Sequence, residues 1–196
     1  MSVAITIFAD FVCPFSYLAE TSLRKLGYGV AEVRYRAAFS EARQPFQDSS
    51  AWSMLAAAAN DEGLQLKSRT FAPATHKAHE AVFFARARER EELFRGAAYA
   101  AYWRDGLDIG RIDILTGVAA SVGLDPEELK IALDIDMHAD EVTSDLVLAG
   151  RLHIDQTPVT YIGTGAGARV VKGGYTSSQL QALLEGGAFI KESTDG

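Results

Sequence analysis

The chain of 196 residues sets 26 Asp and Glu against 19 Lys and Arg, a formal charge of -7, and 48% of it is apolar. That material buries a sizeable core, while an acidic balance with no basic cluster argues against nucleic acid or an anionic membrane as partner. No apolar run is long enough to span a bilayer, and the N-terminus lacks a basic segment and meets Asp10 too early for a secretory leader, so a cytoplasmic protein is expected.

Val3, Ile5 and Ile7 alternate with Ala4, Thr6 and Phe8, the period of two that marks a strand buried on both faces. From Pro14, Tyr17, Leu18, Thr21, Leu23 and Leu26 hold a helical apolar face until Gly27 and Gly29 stop it, and Val30 to Ala37 alternates again. This βαβ opening predicts two parallel strands with a right-handed crossover and a ligand site beyond their C-terminal ends. Residues near 45 to 150 then turn alanine-rich and helical. Ser49 or Ser50 caps a helix that runs through Met54 and Ala59 and stops at Gly63, and Ala74 to Gly106 reads as two helices broken near Glu89 to Glu91. Asp125-Pro126-Glu127-Glu128 is a strong helix start, and a further helix is expected from Asp136 to Ala149. The β pattern returns at Val159 to Ile162 and Arg169 to Lys172, an antiparallel hairpin around Gly163 to Gly167. Thr176-Ser177-Ser178-Gln179 has the spacing of a capping box for a last helix ending at Gly186, and the tail from Lys191 is too polar to pack.

Cys13 is the one cysteine, so disulfide chemistry requires a second molecule. It sits between the first strand and first helix, where unpaired N–H groups and the positive end of the helix dipole favour thiolate over thiol, and Pro14 suits the first helical position. A lowered thiol pKa is therefore expected. His76 and His79, at i and i+3, have no third ligand nearby in sequence, so no metal site is expected and both read as solvated or cleft-edge side chains. Gly163 to Gly167 is followed by a strand and is no dinucleotide fingerprint. Glu89-Arg90-Glu91-Glu92 reads as an exposed helix end, and Phe83, Phe84, Tyr99, Tyr102 and Trp103 as core.

The order β-α-β, helices, β-β-α around Cys13 resembles a thioredoxin-like α/β fold. Cys13-Pro14-Phe15-Ser16 occupies the place of the C-x-x-C redox motif, and Gln156-Thr157-Pro158-Val159 is similar to the loop whose proline is cis in that fold. The large all-helical insertion between the second and third strands resembles the DsbA-like family and its FrnE-like branch, to which kappa-class glutathione transferases and 2-hydroxychromene-2-carboxylate isomerases are related. Thr75-His76-Lys77-Ala78-His79, Leu93-Phe94-Arg95 leading to Asp108-Ile109-Gly110, and the segment from Asp136 to Gly150 repeat further features of that branch in order.

The resemblance implies a single DsbA-like domain over 1–196, with the insertion at about 45–150, acting as a thiol–disulfide oxidoreductase. Cys13 would be the attacking thiolate and Ser16 its tuning partner, with Pro14, Phe15, Thr157 and Pro158 lining the substrate. The substrate would be a protein, peptide or glutathione thiol or disulfide. No tightly bound cofactor is implied, glutathione is admitted as a co-substrate, and a homodimer is admitted as the assembly. The main-chain N–H and C=O of Thr157 could pair with an extended peptide, or with the cysteine part of glutathione, as a short added strand.

Ser16 stands where dithiol members carry a second cysteine, so this chain cannot resolve a mixed disulfide internally. Its hydroxyl can still donate to the Cys13 sulfur. The isomerase and kappa-class relatives place serine at the first motif position as well, which makes Cys13-Pro14-Phe15-Ser16 a hybrid. In the kappa class an acidic residue after the last hairpin receives the glutathione amine, whereas Lys172-Gly173-Gly174-Tyr175 offers no carboxylate, and weak binding of reduced glutathione is expected. Two other readings stand beside the oxidoreductase: a glutathione-dependent transferase or isomerase, and a non-catalytic binding module. Fold alone does not choose among them.

Overall fold

The structure is a computed structural model that describes residues 4–28, 33–39, 41 and 49–185. Val3, Val30, the stop at Gly186 and the polar tail from Lys191 lie outside the described residues. Four strands, β1 (Ile5–Ala9), β2 (Val33–Ala37), β3 (Val159–Ile162) and β4 (Arg169–Lys172), form one sheet in the order β2-β1-β3-β4. β1 pairs in parallel with β2, Ile5 opposite Val33 and Ala9 opposite Ala37, and antiparallel with β3, which pairs antiparallel with β4. Both edges of β1 are thus fixed by hydrogen-bonded neighbours, and the residues that follow Ala9 leave from the middle of the sheet.

The alternation in β1 sorts side chains onto two faces. Ile5, Ile7 and Ala9 pack with Ala19 and Leu23 of α1 (Pro14–Lys25) and with Leu180 and Leu183 of α8 (Ser177–Leu184). Phe8 points the other way, against Ala149 of α7 (Ala139–Arg151). α1 ends where Gly27, at φ 82, takes a left-handed conformation that other residues adopt only with strain. α8 starts with the expected capping box, Thr176 accepting from the Gln179 N–H and the Gln179 side chain accepting from the Thr176 N–H.

Between β2 and β3 run α2 (Ser49–Asp61), α3 (His76–Arg86), α4 (Glu91–Trp103), α5 (Ile112–Ser121), α6 (Pro126–Asp134) and α7. Phe84, Phe94, Tyr99, Tyr102, Trp103, Leu115 and Leu129 build a core of their own, and Phe11, Val12 and Tyr17 reach into it from the segment around Cys13. Asp125 caps α6 by accepting from the Glu127 and Glu128 N–H groups. α7 begins at Ala139 rather than Asp136, because Asp136 stands at φ 54 in the turn that closes α6. Glu91 is also a correction: it is 7% exposed, and Arg86 donates both Nε–H and Nη2–H to its carboxylate at 2.7 Å. α7 is tied to the sheet edge by Asp145, which pairs with Arg36 and accepts the Ala37 N–H at 3.2 Å.

Candidate functional site

Cys13 is the N-cap of α1, with extended backbone (φ -97, ψ 115) and Pro14 at the first helical position. The missing N–H of Pro14 costs nothing there, since the first turn has no internal acceptor to offer it. The Cys13 N–H donates to the Asp10 carbonyl at 3.1 Å, closing the turn that lifts the thiol off the end of β1. The thiol itself donates to the Thr157 carbonyl at 3.1 Å. The Thr157–Pro158 peptide bond is cis. Cys13 is partly exposed, whereas Ser16 is fully buried, its Oγ accepting the Asp10 N–H at 3.4 Å.

The thiol does not have the lowered pKa expected of a helix start. Burial pushes it up, and the hydroxyls of Thr157 and Ser16 with the Ser16 N–H pull it only part of the way back, while the charge on Asp10 adds a further push upward. A helix N-terminus is visible in sequence; the wall of residues closing around the sulfur is not. The Ser16 hydroxyl acts on the thiol in the direction that favours the thiolate.

Phe15 and the β4–α8 turn complete the surroundings. A Cβ on Gly174 would stand 3.1 Å from the Phe15 Cβ, Cδ1 and carbonyl oxygen, so the turn runs directly against Phe15. Gly173, at φ 88, donates its N–H to the Pro158 carbonyl at 2.9 Å. The structure therefore brings Cys13, Pro14, Phe15, Ser16, Thr157 and Pro158 together at the C-terminal end of β1. Tyr175 is turned inward: it is 1% exposed, its hydroxyl pairs with Thr160 at 3.0 Å, and its carbonyl accepts from Ser22 at 2.8 Å.

Two buried polar clusters lie behind this surface. Glu20 of α1 accepts from Arg95 and Tyr99 of α4, with 2.8 Å from Arg95 Nε to Oε2 and 2.7 Å from the Tyr99 hydroxyl to Oε1. Burial alone would weaken the Arg95 charge, but Glu20 beside it holds the guanidinium protonated more firmly than usual. Tyr99 stacks on Tyr17 at 4.8 Å with 3° between the rings and touches Phe11 at 4.8 Å. The second cluster joins Asp10, Thr75 and His79, and here sequence reasoning missed the arrangement. His79 is 2% exposed against the Phe11 ring, not solvated, whereas His76 is about one-third exposed beside Glu80. No group of three or more His, Cys, Asp or Glu among the described residues is arranged to hold a metal.

The family model described as a DSBA-like thioredoxin domain matches residues 4–185, and the chain belongs to that family. YwbO of Bacillus subtilis is 28% identical over 152 residues, covering 71% of this chain and 76% of YwbO. A probable DsbA oxidoreductase from Streptomyces coelicolor superposes with a TM-score of 0.76 at 22% identity, over 98% of this chain and 94% of that one. A 2-hydroxychromene-2-carboxylate isomerase gives 0.73 at 16% identity over 93% of each chain. The cytosolic disulfide reductase DsbM from Pseudomonas aeruginosa, solved with glutathione, gives 0.68 at 17% identity over 93% of this chain and 97% of DsbM. The fold of oxidoreductases and of an isomerase is thus the fold of this chain. No described helix is long and apolar enough to cross a membrane.

Proposed function

We propose that the protein is a thiol–disulfide oxidoreductase that works through one cysteine. The observation that carries this reading is the 3.1 Å contact between the Cys13 thiol and the Thr157 carbonyl, which sets the nucleophile beside main chain suited to receive an extended substrate. The Cys13 thiolate attacks one sulfur of a disulfide R–S–S–R′. A Cys13–S–S–R bond forms, R′–S⁻ leaves, and the leaving thiolate takes up the proton that Cys13 lost. With Ser16 in place of a second thiol, an external thiol, glutathione by preference of availability, attacks the mixed disulfide and regenerates Cys13. The Ser16 hydroxyl favours the attacking anion, Pro14 and Phe15 shape the near wall, and Thr157 and Pro158 hold the substrate backbone. A cytosolic disulfide reductase solved with glutathione among the structural neighbours supports both the glutathione co-substrate and a cytoplasmic setting.

Turnover of a glutathionylated peptide in the presence of reduced glutathione tests the reading. Wild type should accelerate loss of the mixed disulfide and Cys13→Ser should not; equal rates for the two proteins would contradict it. Isomerisation of a glutathione-dependent substrate by wild type, with no exchange on the peptide, would favour the isomerase-like reading instead.

A further inference from the structure

The large apolar side chains that stay in solvent are not spread evenly. Nine are exposed among the described residues, and three of them, Ile131 at 59%, Ile135 at 62% and Met137 at 52%, fall within seven residues of chain. Single apolar side chains on a surface are ordinary, whereas a group of them rimmed by polar residues marks a contact surface. The geometry of α6 puts them there. Leu129, Ala132 and Leu133 form its buried side, packed into the core of the insertion. Ile131 and Ile135, four residues apart, share the opposite, outward side. The turn after α6 adds Met137, whose N–H donates to the Ala132 carbonyl at 2.9 Å.

The charge of the chain gathers at the same place. Between Asp125 and Glu141 seven acidic residues stand against one base, Lys130, so this stretch holds -6 of the net -7 and the rest of the chain is nearly neutral. Arg88 and Lys77 of α3 meet Glu128 and Asp136, and Lys130 meets Asp134, so three cations offset three of the seven carboxylates. Glu127, one turn before Ile131, and Asp140, in the first turn of α7, keep the rim of the apolar face negative.

We propose that the outer face of α6 and the turn after it, residues 131–137, dock a basic amphipathic helix of a partner protein. Apolar side chains of that helix, one turn apart, pack on Ile131, Ile135 and Met137, while its lysines or arginines meet the acidic rim. Charge decides against the other occupants of an apolar face. A second copy of this chain would bring two acidic rims together, and like charges facing across an interface are costly. An anionic bilayer is repelled by the same rim. α6 supplies none of the residues around Cys13, so this contact is separate from the exchange reaction and stands without it.

Fluorescence anisotropy of a labelled amphipathic helical peptide of leucine and lysine, titrated with the full chain, tests the proposal. A leucine and glutamate peptide of the same length and pattern is the control. The lysine peptide should bind and the glutamate peptide should not, and the affinity should fall several-fold between about 50 and 500 mM salt. Ile131→Ser with Ile135→Ser should weaken binding by about tenfold or more, the factor that burying one isoleucine supplies. Glu127→Lys with Asp140→Lys should weaken it several-fold. These four side chains lie outside the core, so the variants keep the fold. Val170→Ser removes a side chain that is 51% exposed on β4 and should leave the affinity unchanged. No binding of the lysine peptide, or binding that survives both double variants, would overturn the proposal. So would a wild-type dimer in sedimentation, or adsorption to phosphatidylserine vesicles, that Ile131→Ser with Ile135→Ser abolishes, because the face would then have a different occupant.

Discussion

The two buried carboxylates behind Cys13 are built differently. Glu20 meets a guanidinium in a two-pronged pair and a phenol besides. Among the described residues, Asp10 accepts from the Thr75 hydroxyl at 2.7 Å and lies 3.6 Å from Nε2 of His79. The first arrangement spends its polar groups on holding α1 against α4. The second stands where α3 meets the loop carrying the nucleophile, and it ties Thr75 and His79 to the segment between β1 and Cys13. A carboxylate stitched to arginine between two helices is structural cement, whereas one three residues before the nucleophile adds its charge to the surroundings of the thiol.

The largest expected effect breaks the cement. Arg95→Met leaves the Glu20 charge buried without its partner and should cost about 3–5 kcal/mol in urea denaturation, whereas Glu20→Met with Arg95→Met should recover much of that loss. If the single and double variants were equally unstable, the pair would not be the structural element the comparison makes it. A third carboxylate sharpens the contrast. Glu62 accepts from the N–H and hydroxyl of Ser177 at 2.7 and 2.8 Å and pairs with Lys25 at 2.9 Å. Burial pushes its carboxyl up, but the bonds from Ser177 and Lys25 outweigh that and hold it below its ordinary value. Its stabilisation is therefore complete above the unfolded carboxyl's pKa and lost as pH falls through the lower folded value. Glu62→Gln should cost about 1.5–3 kcal/mol at neutral pH, and the difference from wild type should shrink toward zero on acidification. A constant difference across pH would contradict it. The smallest effect belongs to Ser16→Ala. Loss of the hydroxyl that favours the thiolate should raise the Cys13 alkylation midpoint by about half a unit, and loss of the acceptor for the Asp10 N–H should cost about 1 kcal/mol. A midpoint that stays or falls would mean that Ser16 does not reach the sulfur.

What sequence reveals here is what is local. Pro14 after Cys13, Pro126 after Asp125, and Thr176 three residues before Gln179 announce helix starts because capping chemistry lies within a few residues of the end it serves. Strand alternation likewise marks which of Ile5, Ile7 and Phe8 faces which layer. The juxtaposition of Cys13 with Thr157 was reached through resemblance, since nothing in the spacing of two loops 144 residues apart dictates contact. Glu20 and Arg95, 75 residues apart, gave no signal at all. His79 reads as solvated or cleft-edge where no third ligand lies near it in sequence; its burial against Phe11 and Asp10 comes from the segment after β1, more than 60 residues away. The direction of the Cys13 shift was missed for the same reason: the dipole that lowers it is local, while the burial that raises it is assembled by the fold.

The central claim is that Cys13 forms and releases a mixed disulfide without a second internal thiol. Intact-protein mass spectrometry after incubation with oxidised glutathione tests it most directly. The account predicts that one glutathione adds to wild type, that none adds to Cys13→Ser, and that reduced glutathione then returns the original mass with recovery of the free thiol. No adduct on wild type, or an adduct that reduced glutathione cannot remove, would contradict it.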